Sequence, residues 1–183
     1  MAEEKNKRSM IAKNQGPLLE EYSEAVLNVR RVAKVIKGGR RFAFSALVVV
    51  GDKKGNVGVA LGKGREVSAA IAKALRRARK NMFYIPFYKT TIPYSVEAKH
   101  GASRVIIHSA SKGTGVIAGG AVRSVMEVAG VKDILAKTIG SSNPQNVVKA
   151  TVKALQKLRT AQHLAKLRGK TLKDLFGENH VAS

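Results

Sequence analysis

The residues best suited to chemistry in this sequence are cations around an apolar hairpin between Lys37 and Gly64. Lysine and arginine side chains, together with backbone N–H groups, are the groups that contact phosphate in nucleic acids. Gly38, Gly39, Gly62 and Gly64 lie beside these cations and let a backbone approach a ligand closely. The segment therefore predicts a phosphate-binding surface, with candidate contacts at Lys34, Lys37, Arg40, Arg41, Lys53, Lys54, Lys63 and Arg65.

The overall charge points to the same class of partner. The chain has 34 Lys and Arg against 12 Asp and Glu, a net charge of +22 and an isoelectric point near 10.7. Residues 31–92 carry fifteen of the cations and only two of the acids. A polyanion is the usual partner of such a chain, with nucleic acid first and a membrane surface second.

Two glycine-rich segments resemble nucleotide-binding loops. In the first, only three residues separate Gly58 from Gly62, and a glycine follows Lys63, so the hydroxyl that would hold magnesium is missing. The segment Gly113–Ala118 matches the alanine-ended dinucleotide fingerprint, with Asp133 as the ribose-binding candidate. Asp133, however, falls near the start of its predicted strand and not at the end. We therefore assign the neighbouring Lys112 to the polyanion surface and keep a nucleotide-dependent enzyme as a weak rival.

Catalytic and metal-binding patterns are otherwise scarce in the sequence. The chain has no cysteine, which excludes disulfides, thiolate metal sites and cysteine nucleophiles. Its four histidines show no metal-ligand spacing, and no Gly-x-Ser-x-Gly pattern occurs. We therefore predict no enzymatic activity, no metal and no cofactor. No secretory signal or long apolar run is visible, so the expected location is the cytoplasm, with no membrane partner.

Alternating and helical patterns predict the elements that position the cations. Residues 1–17 are read as a flexible tail, and Leu18–Leu27 as a short helix or lead-in. Val29–Ile36 and Arg41–Val50 are predicted strands, since β-branched and aromatic residues suit a pleated surface. Even positions of the long strand face one side and odd positions the other. With a second strand before Gly64, residues 18–82 predict an antiparallel sheet covered by one helix.

That helix is predicted over Glu66–Met82. Its cations Lys73, Arg76, Arg77 and Lys80 follow i, i+3, i+4 and i+7 spacing on one side, without an acid among them. A solvated outer face is the ordinary interpretation of such a stripe. The uniform sign favours an RNA contact, and the sheet-plus-helix order resembles a double-stranded-RNA-binding module.

Residues 83–93 are predicted to be a hinge because Pro86 and Pro93 interrupt regular pairing. Five of the nine aromatic residues lie at or beside it, and packing of the joint between two domains is favoured over base stacking. A second domain is predicted over residues 94–163, followed by a basic tail over 164–183. The predicted elements of the second domain are a strand at Ser103–Ser109, a helix at about 121–129, a strand at about 131–138 and a helix from Ser142 to about Gln162.

Three long motifs carry a family resemblance: GGRRFAFSALVVVGDKKGNVGVALGKGREV, GTGVIAGGAVRSVMEVAGV and LAKTIGSSNPQNVVKATVKAL. Together they closely resemble the fifth protein family of the small ribosomal subunit in its bacterial form, over roughly residues 28–175. The resemblance implies an α+β fold. Its N-terminal domain would be a double-stranded-RNA-binding-like sheet with a helix. Its C-terminal domain would be a two-layer α/β sandwich with a left-handed βαβ unit.

The resemblance also implies function. The family is a structural, rRNA-binding constituent of the small subunit near the head–body junction and the mRNA entry side, and it contributes to decoding accuracy. Its neighbours are ribosomal proteins four and eight. The family's first loop corresponds to residues 35–41, which would reach rRNA near the spectinomycin site. Arg123 and Glu127 would meet protein four. A free double-stranded-RNA-binding regulator is the alternative function.

Overall fold

The computed structural model describes residues 22–172 and 174. The predicted tail at 1–17 and residues 18–21 lie outside the described residues, as do 173 and 175–183. The strands are β1 (Ser23–Ile36), β2 (Gly39–Gly51), β3 (Asn56–Gly64), β4 (Met82–Tyr84), β5 (Val96–His100), β6 (Ser103–Ser109), β7 (Val116–Ile117) and β8 (Ile134–Gly140). The helices are α1 (Val67–Lys80), α2 (Gly120–Ala129), α3 (Pro144–Gln156) and α4 (Ala161–Arg168).

The first half is an antiparallel sheet in the order β1-β2-β3-β4, covered on one side by α1. Ala46, Val48 and Val50 of β2 pack with the alanines of α1 and define the helix face of the sheet. Leu47 and Val49 point to the opposite side, called here the far face, and belong to a separate core cluster. The predicted even-and-odd division of the long strand is confirmed.

Small residues let α1 lie close against the sheet. The buried positions of the helix are Ala70, Ala74 and Ala78. A Cβ atom at Gly62 would overlap the carbonyl oxygen of Ala70, and one at Gly64 would lie 2.7 Å from the Ala70 nitrogen. The expectation that Gly62 and Gly64 open the backbone to a ligand is therefore wrong, since both glycines make room for the helix.

Two predicted boundaries at the ends of this half are also wrong. The short helix expected at 18–27 is absent from its described part, because β1 already begins at Ser23 and pairs with β2 from Gly51 onward. A register shift between Val26 and Asn28 breaks the alternation that would have revealed this strand in the sequence. The helix expected to reach Met82 ends at Lys80, and Met82 begins β4 instead.

The second half is a mixed sheet in the order β5-β6-β8-β7, with α2 and α3 contributing to its core. The strand β6 has the predicted bounds. The strands β7 and β8 are parallel and adjacent, and α2 connects them, which makes a βαβ unit. The two sheets with their helices confirm the α+β fold class. The left-handed sense of the unit stays a prediction.

The predicted long helix to Gln162 is two helices. The first, α3, ends at Gln156, and α4 starts after Thr160, whose side chain accepts a hydrogen bond from the His163 amide. Such a side-chain cap begins a new helix because it satisfies an amide that lacks a partner in the preceding turn. Tyr94 fixes the break by donating to the Lys157 carbonyl (3.1 Å) and accepting from the Arg159 amide (2.9 Å).

The two halves share one apolar core. Leu47, Val49 and Val57 of the first sheet belong to the same cluster as Val125 and Met126 of α2. The fully buried Ile85 and Ile92 connect the two parts of this cluster along the chain. Three of the joint aromatics pack against it, as predicted, and the other two are exposed. Those that pack are Phe83, Phe87 and Tyr94, whereas Tyr84 and Tyr88 are exposed.

The turn between β2 and β3 docks against the end of α2. The amide of Lys53 donates to the Val128 carbonyl (3.2 Å), and the amide of Gly55 donates to the Ala129 carbonyl (3.1 Å). Asp52 stabilises the turn by accepting hydrogen bonds from Lys54 and Asn56. Burial alone would raise the pKa of Asp52, but these hydrogen bonds lower it overall.

Candidate nucleic-acid interface

The strands β1 and β2 extend beyond the rest of their sheet. The last residue of β3, Gly64, pairs with Phe44, so residues 31–43 form a two-stranded extension, called here the ribbon. Positive φ angles at Gly38 (89°) and Gly39 (148°) close its tip, and a Cβ atom at either glycine would meet open space. Every residue from 31 to 42 is exposed. The ribbon therefore projects from the folded body with both faces accessible.

The strand register divides the ribbon's cations between two faces. Arg41 pairs with Lys34 on the far face, and Arg40 pairs with Val35 on the helix face. Arg31, also on the helix face, lies with its guanidinium 4.6 Å from the centre of the Phe42 ring, a cation–π contact. The ribbon contains Arg31, Lys34, Lys37, Arg40 and Arg41 and no acid. It therefore presents positive charge on both faces.

The base of the ribbon continues the far face. Arg30 pairs with Ser45, and Ser45 pairs with Lys63 on the next strand, so these three residues form a row across β1, β2 and β3. Lys63 is thus brought together with Lys34 and Arg41 on one face. Arg30 and Arg31 were not among the predicted contacts. Their strand was predicted, but only the pairing with β2 places them beside its cations.

Two of the predicted contacts lie far from the ribbon. Lys53 and Lys54 are exposed, but their turn is at the opposite end of β2 from Gly39, roughly 40 Å away for a 13-residue strand. Arg65 is exposed just before α1. The structure therefore separates the predicted hairpin cations into a ribbon group and a turn group.

The cationic stripe of α1 faces outward as predicted. Lys73, Arg76 and Lys80 are exposed, and Arg77 donates to the Leu61 carbonyl at 3.1 Å. The Arg77 side chain therefore joins the helix to β3 as well as facing solvent. A solvated helix surface and an RNA contact both agree with this arrangement.

The Gly113–Ala118 loop holds one of the chain's own carboxylates. Asp133 is buried, and its Oδ1 accepts hydrogen bonds from the amides of Gly113 (2.9 Å) and Gly115 (3.0 Å). A hydrogen bond from the Thr90 side chain, followed by the one from Gly115, lowers the pKa of Asp133 although burial opposes the shift. The two amides that a pyrophosphate would use are thus engaged internally. Lys112 is exposed beside them.

Replacing Asp133 with asparagine should lower the thermal stability of the protein at pH 7, because the loop amides lose an ionised acceptor. Because the pKa of Asp133 is lower in the folded protein than in the unfolded chain, its ionised form stabilises the fold above the unfolded pKa of about 3.9. This stabilisation is lost as the pH falls through the folded pKa. The difference in melting temperature between Asp133→Asn and the parent chain should therefore shrink below about pH 4. Thermal unfolding at pH 7 and pH 3 measures it, and an equal difference at both values would contradict the assignment.

Arg123 and Glu127 lie together on the outer side of α2. They form a 3.8 Å ion pair across one helical turn, and Arg123 also donates to the Val116 carbonyl at 2.9 Å. Both side chains are more than half exposed, so the pair contributes little to stability. Among the described residues, no three histidine, aspartate or glutamate side chains form a metal-binding cluster. None of the described helices has the length and apolarity to span a membrane.

Comparison with known proteins identifies the family. A family model described as ribosomal protein S5, N-terminal domain matches residues 22–86, and one described as ribosomal protein S5, C-terminal domain matches residues 98–168. A small ribosomal subunit protein uS5 from Lawsonia intracellularis is 56% identical over 151 residues, covering 82% of this chain and 93% of the relative. The chain belongs to the ribosomal protein S5 family.

Further S5 relatives support the assignment. The uS5 protein of Marinobacter nauticus is 54% identical over 157 residues, covering 86% of this chain and 95% of the relative. That of Pseudomonas entomophila is 52% identical over 166 residues, covering 91% of this chain and all of the relative. The N-terminal S5 match contains the ribbon and α1, and the C-terminal match contains the Gly113 loop and α2. The predicted family and the expectation of a non-enzymatic protein are both confirmed.

Proposed function

We propose that the chain is a structural constituent of the small ribosomal subunit in the cytoplasm and binds rRNA through the ribbon. The observation that carries this proposal is the ribbon itself, an exposed extension with five cations and no acid. Phosphate contacts from lysine and arginine fix a protein on RNA without reading its sequence. Folded rRNA geometry then supplies the specificity, since A-form helices are recognised through shape, phosphates and 2′-hydroxyls.

The other cationic groups would extend this surface. Lys63 and Arg65 lie at the base of the ribbon, and the α1 stripe of Arg76, Arg77 and Lys80 lies on the helix that covers the sheet. The turn lysines, Lys53 and Lys54, and the loop lysine, Lys112, would make separate contacts. We propose the same division into domains at 18–82 and 94–163, with the joint at 83–93. The shared core indicates that the two domains present these groups in a fixed relation.

Neighbouring proteins complete the proposal. The exposed Arg123–Glu127 pair would meet ribosomal protein four, and protein eight would be the second neighbour. With these neighbours the chain would lie at the head–body junction near the mRNA entry region, where it would influence decoding accuracy. An ion pair that is exposed in the free chain is suited to such a role, because it can exchange its partner at low cost in stability.

Sedimentation of a tagged chain expressed at its native level tests the proposal. Co-migration with the small subunit in moderate salt is expected, together with carbodiimide cross-linking of Glu127 to a lysine of protein four. Sedimentation with free RNA that is lost steeply as salt rises would instead favour the alternative, a free double-stranded-RNA-binding regulator. Co-migration without that cross-link would overturn only the assignment of the α2 surface.

A further inference from the structure

A groove lies where the first sheet meets the start of α3. It offers about 50 Å³ of space to a water-sized molecule and opens to solvent, and residues of both halves of the chain line it. The residues that matter are Asn28, Arg30, Ser45, Leu47, Leu61 and Gln145. The docking of the turn against α2 and the shared core join the two halves of the chain that line the groove.

The strand register makes the floor of the groove apolar and its rim polar. Asn28, Leu47 and Leu61 form one row across β1, β2 and β3. The adjacent row is the one made by Arg30, Ser45 and Lys63. Leu47 is buried in the shared core, whereas the half-buried Leu61 presents apolar surface to the groove, and Gln145 lines it from the other half of the chain. Apolar walls with a few convergent polar groups are typical of small-ligand sites.

The polar side chains of the groove are available to a ligand. Within the part of the chain that the structure describes, the side chains of Asn28, Ser45 and Gln145 make no hydrogen bond to another residue. All three residues are half-buried, and no described side-chain polar atom is both fully buried and unpartnered. These amide and hydroxyl groups therefore reach the open space of the groove. Amide side chains can donate and accept at once, as the edge of a nucleobase requires.

The position of the groove indicates what would enter it. The row containing Arg30 and Lys63 borders the groove, and Lys34 and Arg41 continue the same face along the ribbon. An RNA backbone held by these cations would pass directly over the groove. Sequence-specific recognition of RNA targets unpaired bases, which hydrogen-bond to the protein through their edges.

We propose that the groove binds one unpaired nucleotide of the RNA held by the ribbon. The edge of the base enters the groove beside Leu61, where Asn28 and Gln145 hydrogen-bond to it. Arg30 contacts the adjoining phosphate. This inference rests on the proposed rRNA binding and adds a sequence-reading contact to a surface that otherwise recognises shape and charge.

The test is chemical probing of small-subunit rRNA bound by the full chain, using dimethyl sulfate and 2′-hydroxyl acylation. In the Asn28→Ala/Gln145→Ala variant, one unpaired nucleotide should lose protection while the rest of the footprint persists. Affinity should fall roughly 10- to 100-fold with an unchanged salt slope, since no phosphate contact is removed. Gln156→Ala, at the other end of α3, is the matched control and should behave as the parent chain.

A second variant and three contrary outcomes keep the proposal falsifiable. Ser45→Val should narrow the groove without disturbing β2, because valine suits a strand. The same nucleotide should then become accessible to the chemical probes. A parent-like footprint in both variants would overturn the site. Uniform weakening with a shallower salt slope would overturn base recognition in favour of a phosphate contact. No footprint from the parent chain would overturn the proposed rRNA binding as well.

Discussion

Replacing Arg40 and Arg41 together with glutamate is expected to reduce affinity for small-subunit rRNA by at least roughly 100-fold. Hydrogen bonds to charged groups contribute about 1.5–3 kcal/mol each, and the substitution removes two candidates while adding repulsion. The two arginines lie on opposite faces of the ribbon, so the change affects RNA approaching from either side. The salt slope of binding should fall by about two, because each lost phosphate contact contributes roughly one unit.

Filter binding over a range of salt measures this effect, and sedimentation then reports incorporation into subunits. Both arginines are exposed, and substitutions at such surface positions usually change stability by less than about 0.5 kcal/mol. The matched control is Lys99→Glu/Lys137→Glu, which changes the net charge equally at exposed positions of the second sheet. Equal losses in the two variants would show that total charge governs binding, and normal incorporation of the arginine variant would refute the ribbon assignment.

Replacing Gly130 with alanine is expected to destabilise the fold by about 2–5 kcal/mol. Gly130 ends α2 with a φ of 93°, and a left-handed conformation costs an alanine about 1–2 kcal/mol. The added Cβ would also overlap the carbonyl oxygen of Lys53 in the docked turn. Displacing that turn adds the cost of an overpacked core, about 1–3 kcal/mol. The melting temperature should fall by on the order of 10 °C.

Gly119→Ala is the control, because Gly119 begins the same helix with a φ of −63° and its Cβ would meet open space. Thermal unfolding by circular dichroism compares the two variants. Similar melting temperatures for both would contradict the conclusion that the turn between β2 and β3 is tightly docked. Because Gly130 lies far from the ribbon along the sheet, any folded fraction of the variant should still bind rRNA.

Local patterns in the sequence were enough to predict much of the fold. Alternation in β2 correctly divided Ala46 and Val48 from Leu47 and Val49, because a strand's two faces follow directly from its period of two. The strand at Ser103–Ser109 has its predicted bounds for the same reason. Helical spacing located α1 and α2 because their buried positions recur with each turn.

Features that depend on contacts distant in sequence could not be read in this way. The docking of the turn against α2 depends on Gly130, which is 75 residues beyond Gly55. Gly62 was predicted to let a ligand approach the backbone, because glycine has no side chain to block it. The sequence does not show that the group approaching Gly62 is the helix α1. Arg30 and the groove residues became neighbours only through the register of β1 with β2 and the position of α3.

The exposed ribbon also bears on how the free chain avoids self-association. The outer edge of β1 has no strand partner among the described residues, and Val32, Val35 and Ile36 are more than one-third exposed along it. Long apolar edges of this kind invite another copy to add as a strand, and natural proteins discourage such pairing with charged side chains. Arg31 and Lys34 interrupt this edge, and their repulsion extends about 8 Å at physiological salt. We therefore expect the cations assigned to rRNA to oppose aggregation of the chain before any RNA is bound.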